Sequence, residues 1–157
     1  MTERIYKADE IGELLDDNRK AFMNKAWGKY NSETKSKIEY YNFPVTFDIE
    51  TTNLTKQNDD ETITRIAFMY VWQMTINGSI IIGRTWQEWT SVIDTIKKRL
   101  LLDDTHRIVI YIHNLGFEFS FIHKYLNVKR VFAISSRSPI IVETVDGLEF
   151  RCSYKLS

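Results

Sequence analysis

Two carboxylates stand one residue apart in the stretch 45–54, VTFDIETTNL. Side chains alternate along a strand, so Asp48 and Glu50 share one face while Phe47 and Ile49 share the other. Two carboxylates this close repel, and one takes up a proton unless a cation lies between them. Mg²⁺ or Mn²⁺ suits such a pair, because these ions prefer carboxylate and phosphate oxygens. The alternative is an exposed strand edge at which both carboxylates are solvated.

A second group of chemically interesting residues lies in the stretch 111–122, YIHNLGFEFSFI. On a helix that begins near residue 116, Glu118 and Ile122 share one face, and Phe117 and Phe121 share another. Glu118 is then one acidic residue on an apolar helix. An unpaired carboxylate is costly to bury, so Glu118 needs a ligand or a partner. The alternative is a helix first turn, where a carboxylate interacts favourably with the helix dipole.

Together, the two stretches resemble the first two exonuclease motifs of family B DNA polymerases, and more closely those of the protein-primed phage enzymes. The first is Asp48-x-Glu50-Thr51-Thr52, and the second is Tyr111-x-His113-Asn114-Leu115-x-Phe117-Glu118-x-x-Phe121-Ile122. The second segment is the more specific one. The resemblance extends from about residue 40 to the end of the chain.

The resemblance implies a ribonuclease-H-like exonuclease fold that removes nucleotides 3′ to 5′ from single-stranded DNA ends. Asp48, Glu50 and Glu118 would be the catalytic residues and the ligands of Mg²⁺ or Mn²⁺. In such a site two ions activate a water and stabilise the leaving oxygen of a phosphodiester.

The resemblance also implies a set of residues that hold the single-stranded 3′ end. Aromatic rings suit this task, because they stack on any base without reading its sequence. Core packing is the alternative for the two phenylalanines. The implied set is Thr51, Tyr111, His113, Asn114, Phe117, Phe121, Ser153 and Tyr154.

Three departures from the family pattern predict impaired or lost hydrolysis. Glu118 stands where the family usually has Asp. Its extra methylene moves the carboxylate by about 1.5 Å. Misplacement of a catalytic group by about 1 Å can lower the reaction rate a hundredfold. Cys152 stands where an Asp is expected, and is interpreted as a small buried residue. The third exonuclease motif and the polymerase domain are absent, so the domain is expected to be truncated. An inactive module that binds or inhibits, acting on single-stranded DNA or a protein, is the alternative function.

The hydrophobic pattern predicts an α/β or mixed α+β sheet with helices packed on it. Strands are expected at 45–49 and 107–111, a hairpin at 63–74 and 80–83, and antiparallel strands from residue 130 to the last residue. Helices are expected at 86–100 and 117–126, and residues 53–61 are expected to be a polar loop.

Residues 1–39 are predicted to be an N-terminal extension, separate from the exonuclease-like domain at 40–157. Apolar residues from Ile11 to Trp27 recur at helical spacing and predict an amphipathic helix at 7–30, followed by a polar linker at 31–37. With Phe22 and Trp27 exposed, the helix would offer a surface to a protein partner. Packing onto its own sheet is the alternative.

Composition favours one ordered globular domain: 157 residues, 43% hydrophobic, with 21 basic and 21 acidic side chains. Zero net charge means that attraction to nucleic acid must be local. The lone Cys152 excludes an internal disulfide and fits a reducing compartment. With no apolar run of membrane-spanning length and no signal-peptide pattern, we expect a cytoplasmic protein with no membrane partner.

Overall fold

The computed structural model describes residues 4–23 and 25–156. Within these residues, three short 3₁₀ helices lie at Ala8–Glu10, Ala21–Met23 and His123–Tyr125. The α-helices are α1 (Ile11–Asp17), α2 (Trp86–Arg99), α3 (Leu115–Ile122) and α4 (Ser153–Leu156). The strands are β1 (Ile5–Lys7), β2 (Lys25–Asn31), β3 (Ser36–Tyr41), β4 (Val45–Gln57), β5 (Ile63–Ile76), β6 (Ser79–Gly83), β7 (His106–Ile112), β8 (Val128–Ala133), β9 (Pro139–Thr144) and β10 (Leu148–Cys152).

The strands form one mixed sheet in the order β1-β6-β5-β4-β7-β10-β9-β8. β4, β5 and β6 are an antiparallel meander, whereas β7 runs parallel to both β4 and β10. β3 pairs with the first residues of β7, and β2 with β3. The predicted mixed α/β class, the hairpin of β5 and β6, and a central strand at β7 are confirmed.

The predicted amphipathic helix at 86–100 is confirmed as α2. Thr85 caps it: its hydroxyl accepts a hydrogen bond from the Glu88 N–H, and the Glu88 carboxylate accepts one from the Thr85 N–H. Trp89 is buried and contacts Phe47 of β4, with ring centroids 5.3 Å apart. The helix therefore covers the middle of the sheet.

The predicted N-terminal helix at 7–30 is wrong beyond α1. Leu14 and Leu15 are buried in the same core as the sheet, and the chain then turns at residues 18–20. Residues 25–31 are strand β2 rather than helix, because cross-strand pairing with β3 overrides a helical spacing of apolar residues. Phe22 packs on Phe43 at 4.8 Å. The side chain of Trp27 lies outside the described residues.

The expected linker at 31–37 is instead part of the β2–β3 hairpin, with its turn at residues 32–35. The expected strands at the C-terminus end at Cys152, since residues 153–156 form α4. The predicted turn at residues 146–147 joins β9 to β10, where Gly147 has a φ of 92° and a side chain would meet the carbonyl oxygens of Asp103 and His106. Only glycine suits that position.

The predicted polar loop at 53–61 is half wrong, because residues 53–57 continue β4. They pair with the start of β5 as far as Gln57 opposite Ile63, despite their polar side chains. Residues 51–57 and 63–69 form a two-stranded projection, which we call the ribbon. A β-bulge between Glu50 and Thr51 separates the ribbon from the sheet. Within the described residues, no helix is long and apolar enough to span a membrane.

Candidate functional site

The carboxyl ends of the parallel strands β7 and β10 lie beside residues 46–48 of β4 at one edge of the sheet. Thr46 of β4 pairs with Tyr111 of β7, so Asp48 lies near the end of β7. Ile112 of β7 pairs with Cys152 of β10. The residues that follow these strands therefore gather at this edge, which we call the carboxyl edge. Open sheets commonly place their ligand sites beyond strand ends of this kind.

Asp48 and Glu118 meet at the carboxyl edge. Asp48 is partly buried, and Glu118, in the first turn of α3, is 4% exposed. Burial raises the pKa of the Glu118 carboxyl from its ordinary value of 4.5 to about 7. Its own backbone N–H opposes that rise, while the charge of Asp48 and a side-chain hydrogen bond with it add to it. The Glu118 carboxyl therefore takes up a proton near neutral pH.

One oxygen of Glu118, Oε2, is buried without a hydrogen-bond partner. The alternative interpretation from the sequence, a carboxylate that only caps the start of a helix, leaves this atom unexplained. A buried carboxylate oxygen with no partner is costly, unless a proton or a cation occupies its lone pairs. Asp48 and Glu118 are thus a donor pair that suits a proton or a small hard cation.

Glu50 shares the strand face of Asp48 as predicted, since Phe47 and Ile49 are buried on the other side. It is exposed and directly precedes the β-bulge. Over residues 4–23 and 25–156, no three His, Cys, Asp or Glu side chains are grouped so that they could hold a metal ion. A metal site formed by three carboxylates therefore stays a prediction. The structure brings Asp48 and Glu118 together, and Glu50 is not grouped with them.

The residues after β7 and β10 contact one another. The rings of His113 and Tyr154 meet edge to face at 5.5 Å, and both side chains are exposed. Ser153, partly buried, begins α4. Asn114 precedes α3, and its carbonyl oxygen accepts hydrogen bonds from the Phe117 and Glu118 N–H groups. An imidazole, a phenol and an amide are thus available beside the acidic pair.

As predicted, Glu118 and Ile122 share one face of α3, and Phe117 and Phe121 share another. Ile122 is buried with Glu118, whereas Phe117 is 39% exposed and touches Phe121 at 5.3 Å. Phe121 is half-buried against the core, so core packing explains part of its role. Phe117 keeps a free ring face beside the acidic pair.

Tyr111 and Thr51, the other predicted contacts, lie on β7 and at the start of the ribbon. Tyr111 is 38% exposed and Thr51 is partly buried. The bulge leaves Tyr70 of β5 without a partner on β4, because Glu50 pairs with Val71 and Thr51 with Met69. The sequence alone could not reveal this bulge, because it depends on how β4 and β5 pair.

Cys152 is buried at the end of β10, as the sequence interpretation expected. It is 1% exposed, and its thiol donates to the His113 carbonyl oxygen at 3.5 Å. The sulfur thus fills the space between the ends of two strands. A carboxylate at this position would place a third acid beside the carboxyl edge.

The sequence interpretation missed Trp86 as a neighbour of the site. Its ring stacks on Phe121 at 6.2 Å and contacts Tyr125 at 5.8 Å. Helical spacing placed Trp86 on the apolar face of α2, but it could not show that α2 begins where α3 ends. The sequence matches no protein-family model, and no curated protein matches it either.

Proposed function

We propose that this chain is a ribonuclease-H-like exonuclease domain that holds the 3′ end of single-stranded DNA at its carboxyl edge and hydrolyses it slowly. The single observation that carries the proposal is the meeting of Asp48 and Glu118, from distant parts of the chain, beside exposed aromatic rings. The sheet order β6-β5-β4-β7-β10, a meander followed by parallel strands, supports the fold assignment.

The acidic pair fits one divalent cation. Asp48 and Glu118 would hold Mg²⁺ or Mn²⁺, with the unpartnered Oε2 of Glu118 as one donor atom. When bound, such an ion supplies an activated water and stabilises the charge that develops on a phosphodiester. Because Glu50 is not grouped with the pair, a second ion lacks ligands among the described residues, and we therefore propose slow hydrolysis.

The exposed rings would bind the DNA. Phe117 directly precedes Glu118 on α3, and His113 and Tyr154 form an edge-to-face contact on the neighbouring strand ends. Stacking on such rings is independent of base identity. The terminal nucleotide would thus be held next to Asp48 without a requirement for sequence.

Hydrolysis is tested with a 5′-fluorescein-labelled single strand, with Mn²⁺ or with EDTA. The expected result is a ladder of products shortened from the 3′ end, present with Mn²⁺ and lost in Asp48→Asn and in Glu118→Gln. Purification of all variants by one protocol controls for a contaminating nuclease. A ladder that persists in both variants would overturn the catalytic assignment.

Binding without hydrolysis is the second candidate function, favoured by the absence of a three-carboxylate cluster in the described part of the chain. Fluorescence anisotropy in EDTA separates the two functions. Phe117→Ala should weaken binding of a trinucleotide about tenfold, within the effect of one lost stacking contact. Phe132→Ala is the matched control, because Phe132 is 62% exposed on the distant strand β8. Binding with no ladder identifies a binding module; no binding at all contradicts both functions.

A further inference from the structure

A pocket lies between the ribbon and the ends of α2 and α3, outside the residue set taken from the sequence apart from Phe121. It encloses about 400 Å³. Its aromatic lining comprises Phe68, Trp86 and Phe121, and its basic lining comprises Arg84 and Lys124. Within the described residues, no Asp or Glu lines it.

The rings that lead to this pocket are continuous with the candidate site. Phe117, next to Glu118, contacts Phe121 at 5.3 Å, and Phe121 stacks on Trp86 at 6.2 Å. Phe68, on the ribbon, is 52% exposed and closes the opposite side of the pocket. A row of contacting rings therefore runs from Phe117, next to Glu118, to the space between α2 and the ribbon.

The two cations of the pocket are exposed and are not held by carboxylates. Of the described residues, none forms an ion pair with the side chain of Arg84 or Lys124; the Lys124 ammonium lies over the Tyr125 ring at 5.3 Å. The Glu88 carboxylate already accepts hydrogen bonds from the N–H groups of Arg84 and Thr85 at the start of α2. Anion binding would thus depend on the two side chains rather than on the helix end.

We propose that this pocket is a second nucleotide-binding subsite, which takes a base between Phe68 and Trp86 and its flanking phosphates on Arg84 and Lys124. The inference rests on the proposed function, because it extends the same single strand away from its 3′ end. Aromatic faces with unpaired cations and no carboxylate match the chemistry of single-stranded nucleic acid. A peptide partner would not need two free cations beside stacking faces.

Two probes, 5′-fluorescein-labelled dT3 and dT12, test the subsite by anisotropy in EDTA. The short strand reaches only the carboxyl edge, whereas the long one also reaches the pocket. In the double variant Arg84→Glu/Lys124→Glu, the Kd for dT12 should rise at least tenfold while the Kd for dT3 stays within twofold. Loss of two phosphate contacts should also lower the salt dependence of log Kd by about 1.4. Phe68→Ala should weaken the binding of dT12 and leave the binding of dT3 unchanged.

Arg19→Glu/Lys20→Glu is the matched control, since it makes the same charge change at exposed positions away from the pocket. If both double variants weaken the binding of dT12 equally, or if the binding of dT3 and dT12 weakens together, general electrostatics explains the effect and the subsite is overturned. If dT12 is unaffected while Phe117→Ala still weakens dT3, the subsite fails and the proposed function stands. If the unmodified protein binds neither strand, both are overturned and the pocket is left to another ligand.

Discussion

The Glu118 carboxyl on α3 and the Asp48 carboxyl on β4 lie close enough to interact, although one belongs to a helix and the other to a strand far earlier in the chain. Two acids can share such a contact only while one of them carries a proton or a cation lies between them. The contact thus couples the position of α3 to the ionisation of this edge of the sheet.

The first prediction concerns pH. Because the pKa of Glu118 is raised to about 7 in the folded protein, the folded state keeps a proton that the unfolded chain releases above about pH 4.5. Its contribution to the free energy of unfolding is complete below pH 4.5, decreases as the pH rises, and is lost above pH 7. Urea unfolding in EDTA at a series of pH values should show this loss in the unmodified protein and not in Glu118→Gln. Glu50 is an exposed carboxylate at the same edge, so Glu50→Gln should show the same decrease in the free energy of unfolding as the unmodified protein. If the free energy of unfolding depends on pH equally in all three proteins, the prediction is wrong.

The second prediction concerns divalent cations. Mn²⁺ should raise the melting temperature at pH 7.5 in proportion to the logarithm of its concentration, as expected of a ligand of the folded state alone. The rise should be smaller at pH 5.5, because a proton on Glu118 competes with the ion. Asp48→Asn should abolish the rise, and Asp59→Asn, at the exposed tip of the ribbon, should not. An equal rise in Asp48→Asn would place the ion elsewhere.

Strand β4 was predicted from the sequence only in part. Alternation correctly places Asp48 and Glu50 on one face, because the opposite residues are buried beneath α2. Its continuation to Gln57 was missed, because those residues are polar and their strand conformation comes from pairing with β5. The spacing of apolar residues was sufficient to predict α2, since an amphipathic helix is recognised from its one buried face.

The candidate site was also predicted only in part. The resemblance of two motifs suggested that Glu118 and Asp48 belong together, but local patterns contain no information on which strand a helix meets. Strand β2 shows the opposite error, because pairing with β3 decided the conformation of a segment whose apolar spacing indicated a helix. Pairing between distant segments is the information that periodicity lacks.

A third prediction tests the packing of β6 on β5. A Cβ atom at Gly83 would overlap the indole ring of Trp72, which is fully buried. Gly83→Ala should therefore destabilise the protein by about 1–3 kcal/mol in urea unfolding. Gly12→Ala is the control, because no atom lies within 4 Å of the new Cβ in α1 and the helix should gain about 0.5–1 kcal/mol. Two alanine variants of equal stability would argue against this packing.

A fourth prediction concerns the buried Arg107 at the start of β7. Its guanidinium donates two hydrogen bonds of 3.0 Å to the Thr144 carbonyl oxygen and one of 3.2 Å to Asp104. Arg107→Ala should cost about 3 kcal/mol, because it leaves a buried acceptor without a donor. Arg130→Ala, which removes an exposed arginine 3.6 Å from Glu143, should change the free energy of unfolding by less than about 1 kcal/mol. Equal losses would mean that burial does not decide the difference.

The β-bulge at Glu50 and Thr51 has a consequence for motion. Beyond it, the ribbon strands pair only with each other in the described structure, whereas the sheet halves of β4 and β5 also pair with β7 and β6. An isolated two-stranded ribbon is marginally stable in water, so its opening costs less than unfolding the sheet. Phe68 thus belongs to a unit that can open locally. If the pocket binds single-stranded DNA as proposed, local opening of the ribbon would let a strand enter from the side, without first entering by its end.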